Sequence, residues 1–385
     1  MGPAMKSKAE CVIIGGGVVG TAIAYYLAKG GMTDCVLVES DYLSSGATGR
    51  CGGGIRQQWS TEANTKLAIE SVREFSTLED ELDADIEFLQ GGYLVLAYTE
   101  EDEAQFEKNV ALQQGLGLDV VKLTPDEIRE RVVPQLNTEG VRMATYCPSD
   151  ASANPFLTTH AYANAARRLG VQVELFTRVN RVLTDGGRVT GVETSRGTIS
   201  APLVVNVAGS HSVPIAKTAG VDLPITPCRR QILVTEPLER FFDPMIISFS
   251  FGIYFRQVRH GSVIGGFGDP DEPPGFNQTS SLEFLTTMSS KLAFLMPRLR
   301  SVKVVRQWGG LYDLTPDAQP ILGETDGVEG FFQASGFSGH GFMIAPKVAS
   351  LVAFVVAGTE PDLDISRLNA RRFTEGPVTT DKSVV

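Results

Sequence analysis

The chain has 385 residues, of which 43% are hydrophobic and 21% charged, and its formal net charge is −11. This length exceeds what one typical hydrophobic core supports, so we expect two domains. The acidic balance disfavours nucleic acids and anionic membrane surfaces as partners. Five widely spaced cysteines without a CxxC pair disfavour a disulfide framework and a zinc site, and they fit a reducing cytoplasm.

No N-terminal run has the pattern of a secretory signal, and the opening MGPAM reads as an appended leader without fold information. The apolar run over 348–356 is too short to span a bilayer and predicts a buried helix. We therefore expect a cytoplasmic protein without a transmembrane segment. Peripheral attachment to the inner face of the membrane stays open.

Residues 12–39 (VIIGGGVVGTAIAYYLAKGGMTDCVLVE) carry the strongest pattern in the chain. An apolar strand enters a glycine-rich turn, an amphipathic helix follows, and a second strand ends at Glu39, as in the G-x-G-x-x-G nucleotide fingerprint. Gly15 permits the tight turn, Gly17 leaves room for a pyrophosphate at the positive helix end, and Gly20 lets helix and strand pack closely. Since Glu39 can accept hydrogen bonds from a ribose, we predict dinucleotide binding over a glycine-rich turn in an empty α/β fold.

The next stretch, 43–54 (LSSGATGRCGGG), is small and glycine-rich. Such stretches occur where backbone must approach a ligand closely. A flexible linker is the alternative interpretation, but the position directly after the nucleotide unit favours a ligand contact.

Periodicity and turn residues predict the later elements. Helices are expected over 61–82, 100–114, 155–168, 280–295 and 346–357, with a further helix beginning at 124–127. Asn154 as N-cap and Pro155 in the first turn mark the start of one of them clearly. Strands are expected over 93–97, 171–176, 203–207, 231–235, 252–257, 262–266 and 331–334, with a hairpin turned at 185–187.

Nucleotide-type segments and sheet-rich segments interleave along the chain. We assign 1–80, 148–212 and 319–385 to a Rossmann-like cofactor domain, and 81–147 and 213–318 to an antiparallel-sheet substrate domain. The predicted fold class is therefore α/β, as a two-domain α+β arrangement. A nucleotide domain built from three separated segments favours a flavoprotein over a nicotinamide dehydrogenase, whose nucleotide half is usually continuous.

Several runs spread over nearly the whole chain carry a family resemblance: TGRCGGGIRQQ (48–58), ANPF (153–156), TPD with PILG (315–323) and GFSGHGFMIAP (336–346). In them the chain resembles the amine- and amino-acid-oxidising flavoproteins of the D-amino-acid oxidase superfamily. Within it, the resemblance is strongest to the β subunits of archaeal dye-linked L-proline dehydrogenase and of sarcosine oxidase. It implies FAD, a small amino-acid substrate and, as in such relatives, an α subunit or other electron acceptor with FMN at the subunit interface.

The resemblance also implies where FAD lies. Its adenosine and diphosphate would follow the nucleotide unit, and its pyrimidine edge would face the glycine-rich run ending at Met343. Backbone amides there and the following helix start can stabilise negative charge near N1 and O2 of reduced flavin, although a plain strand-to-helix turn is the alternative. The expected cofactor contacts are Gly15, Gly17, Val18, Val19, Gly20, Glu39, Ser40, Ser45, Gly46, Ala47, Thr48, Gly53, Gly54, Val179, Ala208, Gly209, Gly310, Gly339, His340, Gly341, Phe342 and Met343.

Oxidation next to an amine by flavin needs a carboxylate anchor, a neutral amine and a dry site, but no metal or nucleophile. An arginine fork suits the carboxylate, and Arg56, Arg256 and Arg306 have suggestive contexts. Arg56 leads, because it aligns by resemblance with a carboxylate-binding arginine of monomeric sarcosine oxidases; a structural arginine is the alternative. Tyr254 is a substrate-facing or packed aromatic, and His340 faces the flavin or fills its turn. The catalytic candidates are thus Arg56, Tyr254, His340 and Arg256.

Three positions depart from relatives. Glycine oxidase has its substrate-binding arginine where this chain has Tyr312, which puts glycine in doubt as the substrate. Monomeric sarcosine oxidases tether flavin to a cysteine where this chain has Gly310, and have a lysine where it has Met343. We therefore expect non-covalent FAD, weak reactivity with oxygen and another electron acceptor.

Several readings of the function stay open. The first is a dehydrogenase that oxidises the C–N bond of a secondary or N-methyl amino acid, such as L-proline, hydroxyproline or sarcosine, by hydride transfer to flavin N5. It would pass electrons to a partner subunit or quinone-like acceptor. The second is a stand-alone oxidase that releases hydrogen peroxide, and the third a flavin-binding regulatory protein without turnover. Other flavoenzymes, acting on 2-hydroxy acids or glycerol phosphate, complete the set.

Overall fold

In the computed structural model, residues 5–376 and 378–383 are described, and strands and helices alternate along them. The helices are α1 Val18–Lys29, α2 Glu62–Leu82, α3 Glu100–Gly115, α4 Pro125–Glu127, α5 Pro155–Arg168, α6 Ser212–Lys217, α7 Leu282–Leu295, α8 Ala345–Val356 and α9 Arg372–Glu375. The leader interpretation of MGPAM concerns residues that, Met5 apart, lie outside the described part of the chain.

The strands are short in the cofactor half and longer in the substrate half. They are β1 Cys11–Ile14, β2 Cys35–Val38, β3 Gly54–Ile55, β4 Tyr93–Ala97, β5 Val121–Leu123, β6 Met143–Cys147, β7 Ala151–Ser152, β8 Gln172–Glu174, β9 Val179–Asp185, β10 Arg188–Thr194, β11 Gly197–Ser200, β12 Leu203–Asn206, β13 Thr226–Pro237, β14 Met245–Ser248, β15 Ile253–Gln257, β16 Ser262–Phe267, β17 Val304–Leu314, β18 Ile321–Glu324 and β19 Phe331–Ser335.

A six-stranded sheet has the spatial order β18-β19-β12-β1-β2-β8. Its inner strands are parallel, and β18 runs antiparallel to β19. All residues of β1 and β2 are buried, because parallel strands are covered on both faces. The carboxyl ends of these two strands meet at one edge of the sheet, where Gly15 and Glu39 follow them.

An eight-stranded, mainly antiparallel sheet has the order β17-β13-β16-β15-β14-β4-β6-β5. Its register sets Arg230 opposite Gly310 and Tyr254 opposite Gly266. Phe255 packs in the hydrophobic cluster that contains the buried side of α7. Because side chains alternate between faces along a strand, the neighbouring Tyr254 points to the opposite face, which is the face of the functional site.

The two large sheets bear out the predicted α/β fold class. The six-stranded sheet takes its strands from the three segments assigned to the cofactor domain, and the eight-stranded sheet from the two assigned to the substrate domain. A three-stranded sheet (β11-β10-β9) and a β3-β7 pair complete the set among the described residues. The exact domain boundaries stay a prediction.

Local signals located several helices well. The Asn154 side chain accepts hydrogen bonds from the amides of Phe156 and Leu157 over 3.1 and 3.3 Å, which confirms the predicted N-cap of α5. The helix expected at 280 begins two residues later, because Ser281 caps it by accepting from the Phe284 amide over 3.2 Å.

Two expected elements differ from the structure. The helix beginning at 125 has one α turn and continues as a π-helical turn over Ile128–Val132, and the strand expected over 171–176 is limited to β8. The apolar run at 348–356 is the largely buried α8, as predicted. Among the described helices, none combines the length and apolarity that crossing a bilayer requires.

Candidate active site

A cavity of about 800 Å³ lies between the carboxyl edge of the six-stranded sheet and the free face of the eight-stranded sheet. This volume is in the range of cofactor and ligand sites. All the predicted cofactor contacts line it, from Gly15 in the first turn to Met343 before α8. The structure thus brings together segments that are up to 328 residues apart in the chain.

The glycine turn at the start of α1 forms a cradle in one end of the cavity. Gly15 has φ +123°, and a Cβ there would lie 2.5 Å from the Val207 carbonyl oxygen. A Cβ at Gly20 would lie 2.0 Å from the Gly15 carbonyl oxygen, so helix and strand approach closely only with glycine. The Val18 amide at the helix start donates to Thr48 Oγ1 over 3.2 Å. This geometry fits a diphosphate at the positive end of α1.

Glu39 closes the adenosine end of the cradle. One carboxylate oxygen accepts from the Gly16 amide over 2.6 Å, and the other from the Asp41 amide over 2.9 Å. These bonds fix the buried carboxylate at the cavity wall. The Ser40 and Ser45 hydroxyls also donate to the oxygen that binds the Asp41 amide, over 3.1 and 3.3 Å. The other oxygen has the Gly16 amide as its one partner among the described residues, so it keeps a lone pair for a ribose hydroxyl.

The run 336–343 forms the opposite end of the cofactor site. Gly336, Ser338 and Gly339 all have positive φ, at +73°, +50° and +92°. The buried Asp313 carboxylate accepts from the Gly336 amide over 2.8 Å, and its burial raises the pKa of that carboxyl to about 6. A Cβ at Gly339 would lie 2.2 Å from the Tyr312 ring, so the turn requires glycine there.

Three backbone amides follow this turn and line the cavity just before α8. Within the described part of the chain, the amides of Gly341, Phe342 and Met343 donate to no turn or loop carbonyl. They lie at the N-terminal end of a 12-residue helix, where partial positive charge concentrates. The arrangement fits an electron-rich ligand edge, as predicted for the flavin pyrimidine ring.

Arg56 is buried in the cavity wall with its guanidinium 4.1 Å from the centroid of the Trp59 ring. One terminal nitrogen donates to the Ser383 carbonyl oxygen. The Nε and Nη1 groups are buried and have no partner among the described residues. Two orphaned charged donors in a cavity fit an anionic ligand group, because an unpaired buried charge is costly.

His340 lies next to this arginine, with its ring 4.6 Å from that of Trp59. Both ring nitrogens are buried without a partner among the described residues. Burial lowers the pKa of His340 to about 4, so the imidazole is neutral near pH 7. It offers a neutral donor or acceptor to the cavity and adds no charge beside Arg56.

Tyr254 reaches the cavity from β15, with its ring packed against glycines on both sides. A Cβ at Gly52 would lie 2.8 Å from this ring, and one at Gly266 would lie 2.7 Å from it. Burial raises the pKa of the Tyr254 phenol well above its usual value, so it stays protonated. The structure therefore places Arg56, His340 and Tyr254 in one cavity.

Arg256, the fourth catalytic candidate, lies behind the cavity wall instead of in it. Its Nε donates to the Gly52 carbonyl oxygen over 2.6 Å, and its terminal nitrogens donate to Ser152 and to the Ala153 carbonyl over 3.3 and 3.4 Å. These partners occupy the guanidinium, so the expected substrate contact is corrected to a support of the 52–54 segment. Arg306 is exposed on β17, outside the cavity.

Several lining residues were not predicted from the sequence, among them Trp59, Tyr93, Arg230 and Ser383. Arg230 belongs to the site because β13 pairs with β17 in the register that sets it opposite Gly310. No local pattern encodes such a pairing.

The five cysteines are free thiols, and no cluster of three or more His, Cys, Asp or Glu side chains within the described ranges is arranged to hold a metal ion.

Known proteins resemble this chain over nearly its whole length. Sarcosine oxidase subunit beta from Arthrobacter sp is 31% identical over 380 residues, which cover 97% of this chain and 93% of that protein. Mitochondrial dimethylglycine dehydrogenase from Rattus norvegicus is 29% identical over 96% of this chain, which spans 45% of that longer protein.

Solved structures share the fold. L-Proline dehydrogenase from P. horikoshii superposes with a TM-score of 0.92 at 36% identity and covers 97% of this chain and 100% of its own. Glycine oxidase from Geobacillus kaustophilus superposes with a TM-score of 0.88 at 25% identity, with coverages of 95% and 99%. The family DAO, FAD dependent oxidoreductase, matches residues 10–355. The glycine cradle, the cavity and this match agree, and the chain belongs to the DAO family of FAD-dependent oxidoreductases.

Proposed function

We propose that the protein oxidises the C–N bond of a secondary or N-methyl amino acid of the L-proline, hydroxyproline or sarcosine type. The observation that carries the proposal is the buried Arg56 guanidinium in the wall of the cofactor cavity, two of whose nitrogens have no partner among the described residues. Relatives named for sarcosine, dimethylglycine and L-proline oxidation support the substrate class. FAD bound in the cavity supplies the hydride acceptor, at its N5 atom.

Arg56 binds the substrate carboxylate in this proposal. A planar guanidinium matches a carboxylate with two parallel hydrogen bonds, and Nε and Nη1 are the donors left free. The Trp59 ring, whose centroid is 4.1 Å from the guanidinium carbon, restricts the movement of the guanidinium. Binding would therefore fix both the position and the rotation of the amino acid, which is the main contribution that a protein makes to hydride transfer.

The reacting amine must be neutral, and the residues around it favour that state. His340 is uncharged near pH 7, because burial lowers its pKa to about 4, and the raised pKa keeps the Tyr254 phenol protonated. Arg56 is cationic. A nearby cation disfavours an ammonium group, so the amine loses its proton to solvent before or during binding.

Water is excluded by packing around the guanidinium. The C-terminal segment places the Ser383 carbonyl on Arg56, and Asp381 attaches that segment to the start of α2 by accepting from Thr61 and Asn64, both over 2.9 Å. Trp59 is 1% exposed. In this dry surrounding the charged contact to a carboxylate is stronger than it would be in water.

We also propose non-covalent FAD and an electron acceptor other than oxygen. Gly310 offers no thiol to the cofactor, and Arg50 lies where a side chain would begin, 3.0 Å from a Cβ there. Burial raises the pKa of Cys51, the cysteine in the cavity wall, to about 11, which keeps it protonated and unreactive. By the resemblance described above, Met343 stands where monomeric sarcosine oxidases have a lysine.

As the partner we propose an α subunit, with FMN at the subunit interface, because one relative is named as a β subunit. A stand-alone oxidase is the second candidate function, and a flavoprotein without turnover the third. A cytoplasmic location stays a prediction.

The test is anaerobic mixing of the FAD-loaded protein with L-proline, hydroxyprolines, sarcosine, dimethylglycine, glycine, D-amino acids and glycerol 3-phosphate, followed by flavin absorbance. We expect fast bleaching by a secondary or N-methyl amino acid. Bleaching only by glycerol 3-phosphate or D-amino acids, or by nothing, would contradict the proposal. Peroxide release in air without a dye would favour the stand-alone oxidase, and flavin retained in an acid-precipitated pellet would contradict non-covalent binding.

A further inference from the structure

A second arginine faces the substrate half of the cavity from β13. The guanidinium carbon of Arg230 lies 5.3 Å from the centroid of the Tyr312 ring, and its residue pairs with Gly310 across the sheet. One terminal nitrogen donates to the Arg229 carbonyl oxygen over 3.0 Å and contacts the Cys228 sulfur at 2.9 Å. The Nε group is buried without a partner among the described residues.

The charge of Arg230 is not neutralised by the protein. The preceding Arg229 forms an ion pair with Glu272 over 2.7 Å, whereas no carboxylate of the described residues lies within ion-pair distance of Arg230. Of the carboxylates that line the cavity, Glu39 and Asp41 are at the adenosine end. Among the described residues the only other is Asp313, whose carboxylate accepts from the Gly336 amide.

Two arginines with donors that lack a partner among the described residues, Arg56 and Arg230, thus line the same cavity as Tyr312. The electrostatic influence of both reaches the Tyr312 phenol, where each opposes the rise in pKa that burial causes. An α-carboxylate on Arg56 would neutralise one of these cations and leave the other. A half-buried cation without a counter-ion favours a ligand that brings a second negative group.

We propose that Arg230 is a second anion anchor of the substrate site, and that the preferred substrate is a secondary amino acid with a second carboxylate. This rests on the proposed function, in which Arg56 binds the α-carboxylate. The second carboxylate would lie on the N-substituent or the side chain and contact Arg230 beside Tyr312. The oxidation itself is unchanged: the carbon next to nitrogen would give up a hydride to FAD and the nitrogen a proton to solvent, so that the C–N single bond becomes a C=N bond.

Two non-oxidisable ethers test this anchor without turnover. Methoxyacetate replaces the nitrogen of sarcosine by oxygen, and diglycolate is the matched compound with a second carboxylate. Their affinities follow from perturbation of the flavin spectrum of the holoenzyme at fixed low salt. We expect diglycolate to bind at least about tenfold more tightly, since a desolvated charged contact contributes that much.

Arg230→Met should abolish this preference and leave methoxyacetate affinity within about twofold of wild type. Arg306→Met makes the same change of charge at an exposed position outside the cavity, and should keep both affinities. Arg230→Lys keeps the charge but loses the fork, and should retain part of the preference; it carries the test if Arg230→Met does not fold.

Equal affinities in the wild type, a preference that survives Arg230→Met, or loss of FAD from either Arg230 variant would overturn the proposal. Anaerobic bleaching by sarcosine and by N-(carboxymethyl)glycine separates it from the proposed function. If no amino acid of the panel above, with N-(carboxymethyl)glycine added, bleaches the flavin while the diglycolate preference still depends on Arg230, amine oxidation is wrong and the anchor stands. Faster bleaching at low concentration by N-(carboxymethyl)glycine supports both.

Discussion

Arg56 and Arg256 are both buried, yet they differ in what their donors contact. Arg256 donates only to atoms of the protein, at Gly52, Ser152 and Ala153. Arg56 keeps two buried donors free of protein partners among the described residues. A saturated guanidinium stabilises the fold, whereas an unsaturated one lowers stability and favours ligand binding.

Arg56→Met should therefore weaken substrate binding without weakening the fold. Loss of a buried charged fork typically costs about 2–5 kcal/mol of binding, so we expect at least about a thirtyfold rise in the substrate concentration for half-maximal flavin reduction. FAD content and the melting temperature should be unchanged or higher, because an unpaired charge has been removed from the interior. Arg306→Met is the control, because it removes the same charge at an exposed position. Equal kinetics in the two variants would show that Arg56 does not bind the substrate.

Arg256→Met should have the opposite profile. It leaves the Gly52 and Ala153 carbonyl oxygens without their charged donor, and each lost contact of this kind costs about 1–3 kcal/mol. We expect a lower melting temperature and a lower denaturant midpoint, with FAD lost more readily because the 52–54 segment lines the cavity. If the variant had wild-type stability but needed a higher substrate concentration for half-maximal flavin reduction, Arg256 would be a substrate contact after all.

At the scale of elements, the site depends on two glycine turns that each connect a strand to a helix. The turn between β1 and α1 exposes the start of one helix to the cavity, and the turn between β19 and α8 exposes the start of another. Both turns contain glycines whose place no larger residue can take, at Gly15 and Gly339. The helix ends are therefore kept open for the cofactor by the absence of side chains.

Gly339→Ala tests this role of the second turn. Its Cβ would lie 2.2 Å from the Tyr312 ring at φ +92°, so both backbone strain and overlap oppose the substitution. Gly220→Ala is the matched control, since Gly220 has φ +78° with open space around its Cβ position, and should cost only the strain, about 1–2 kcal/mol. We expect Gly339→Ala to destabilise more and to lower FAD occupancy; equal losses in both variants would argue against a packed turn.

For the molecule as a whole, local patterns in the sequence predicted the fold class, most helices and the first glycine turn, whereas the family resemblance supplied many of the other expected cofactor contacts. The first glycine turn and the Asn154 cap could be predicted because each is encoded within a few residues. The place of Arg230 in the site could not, because it depends on strand register. The partners of Arg256 could not either, because they are 103 to 204 residues away in the sequence. The substrate half is built from such distant contacts, which explains why it was predicted less well than the cofactor half.

The free energy of unfolding of the whole molecule should depend on pH because His340, in the cavity wall, is held neutral. His340 has its pKa lowered by burial from 6.5 to about 4, so between these pH values the unfolded chain binds a proton that the folded protein does not. Stability is then fully present above about pH 6.5 and falls as the pH decreases towards 4, by at most about 3 kcal/mol.

His340→Gln removes this titrating group, and the denaturant midpoint of the variant should depend less steeply on pH across this window than that of the wild type. His160→Gln is the control on an exposed face of α5 and should keep the wild-type slope. Identical slopes in all three proteins would show that His340 titrates normally and is not held neutral beside Arg56.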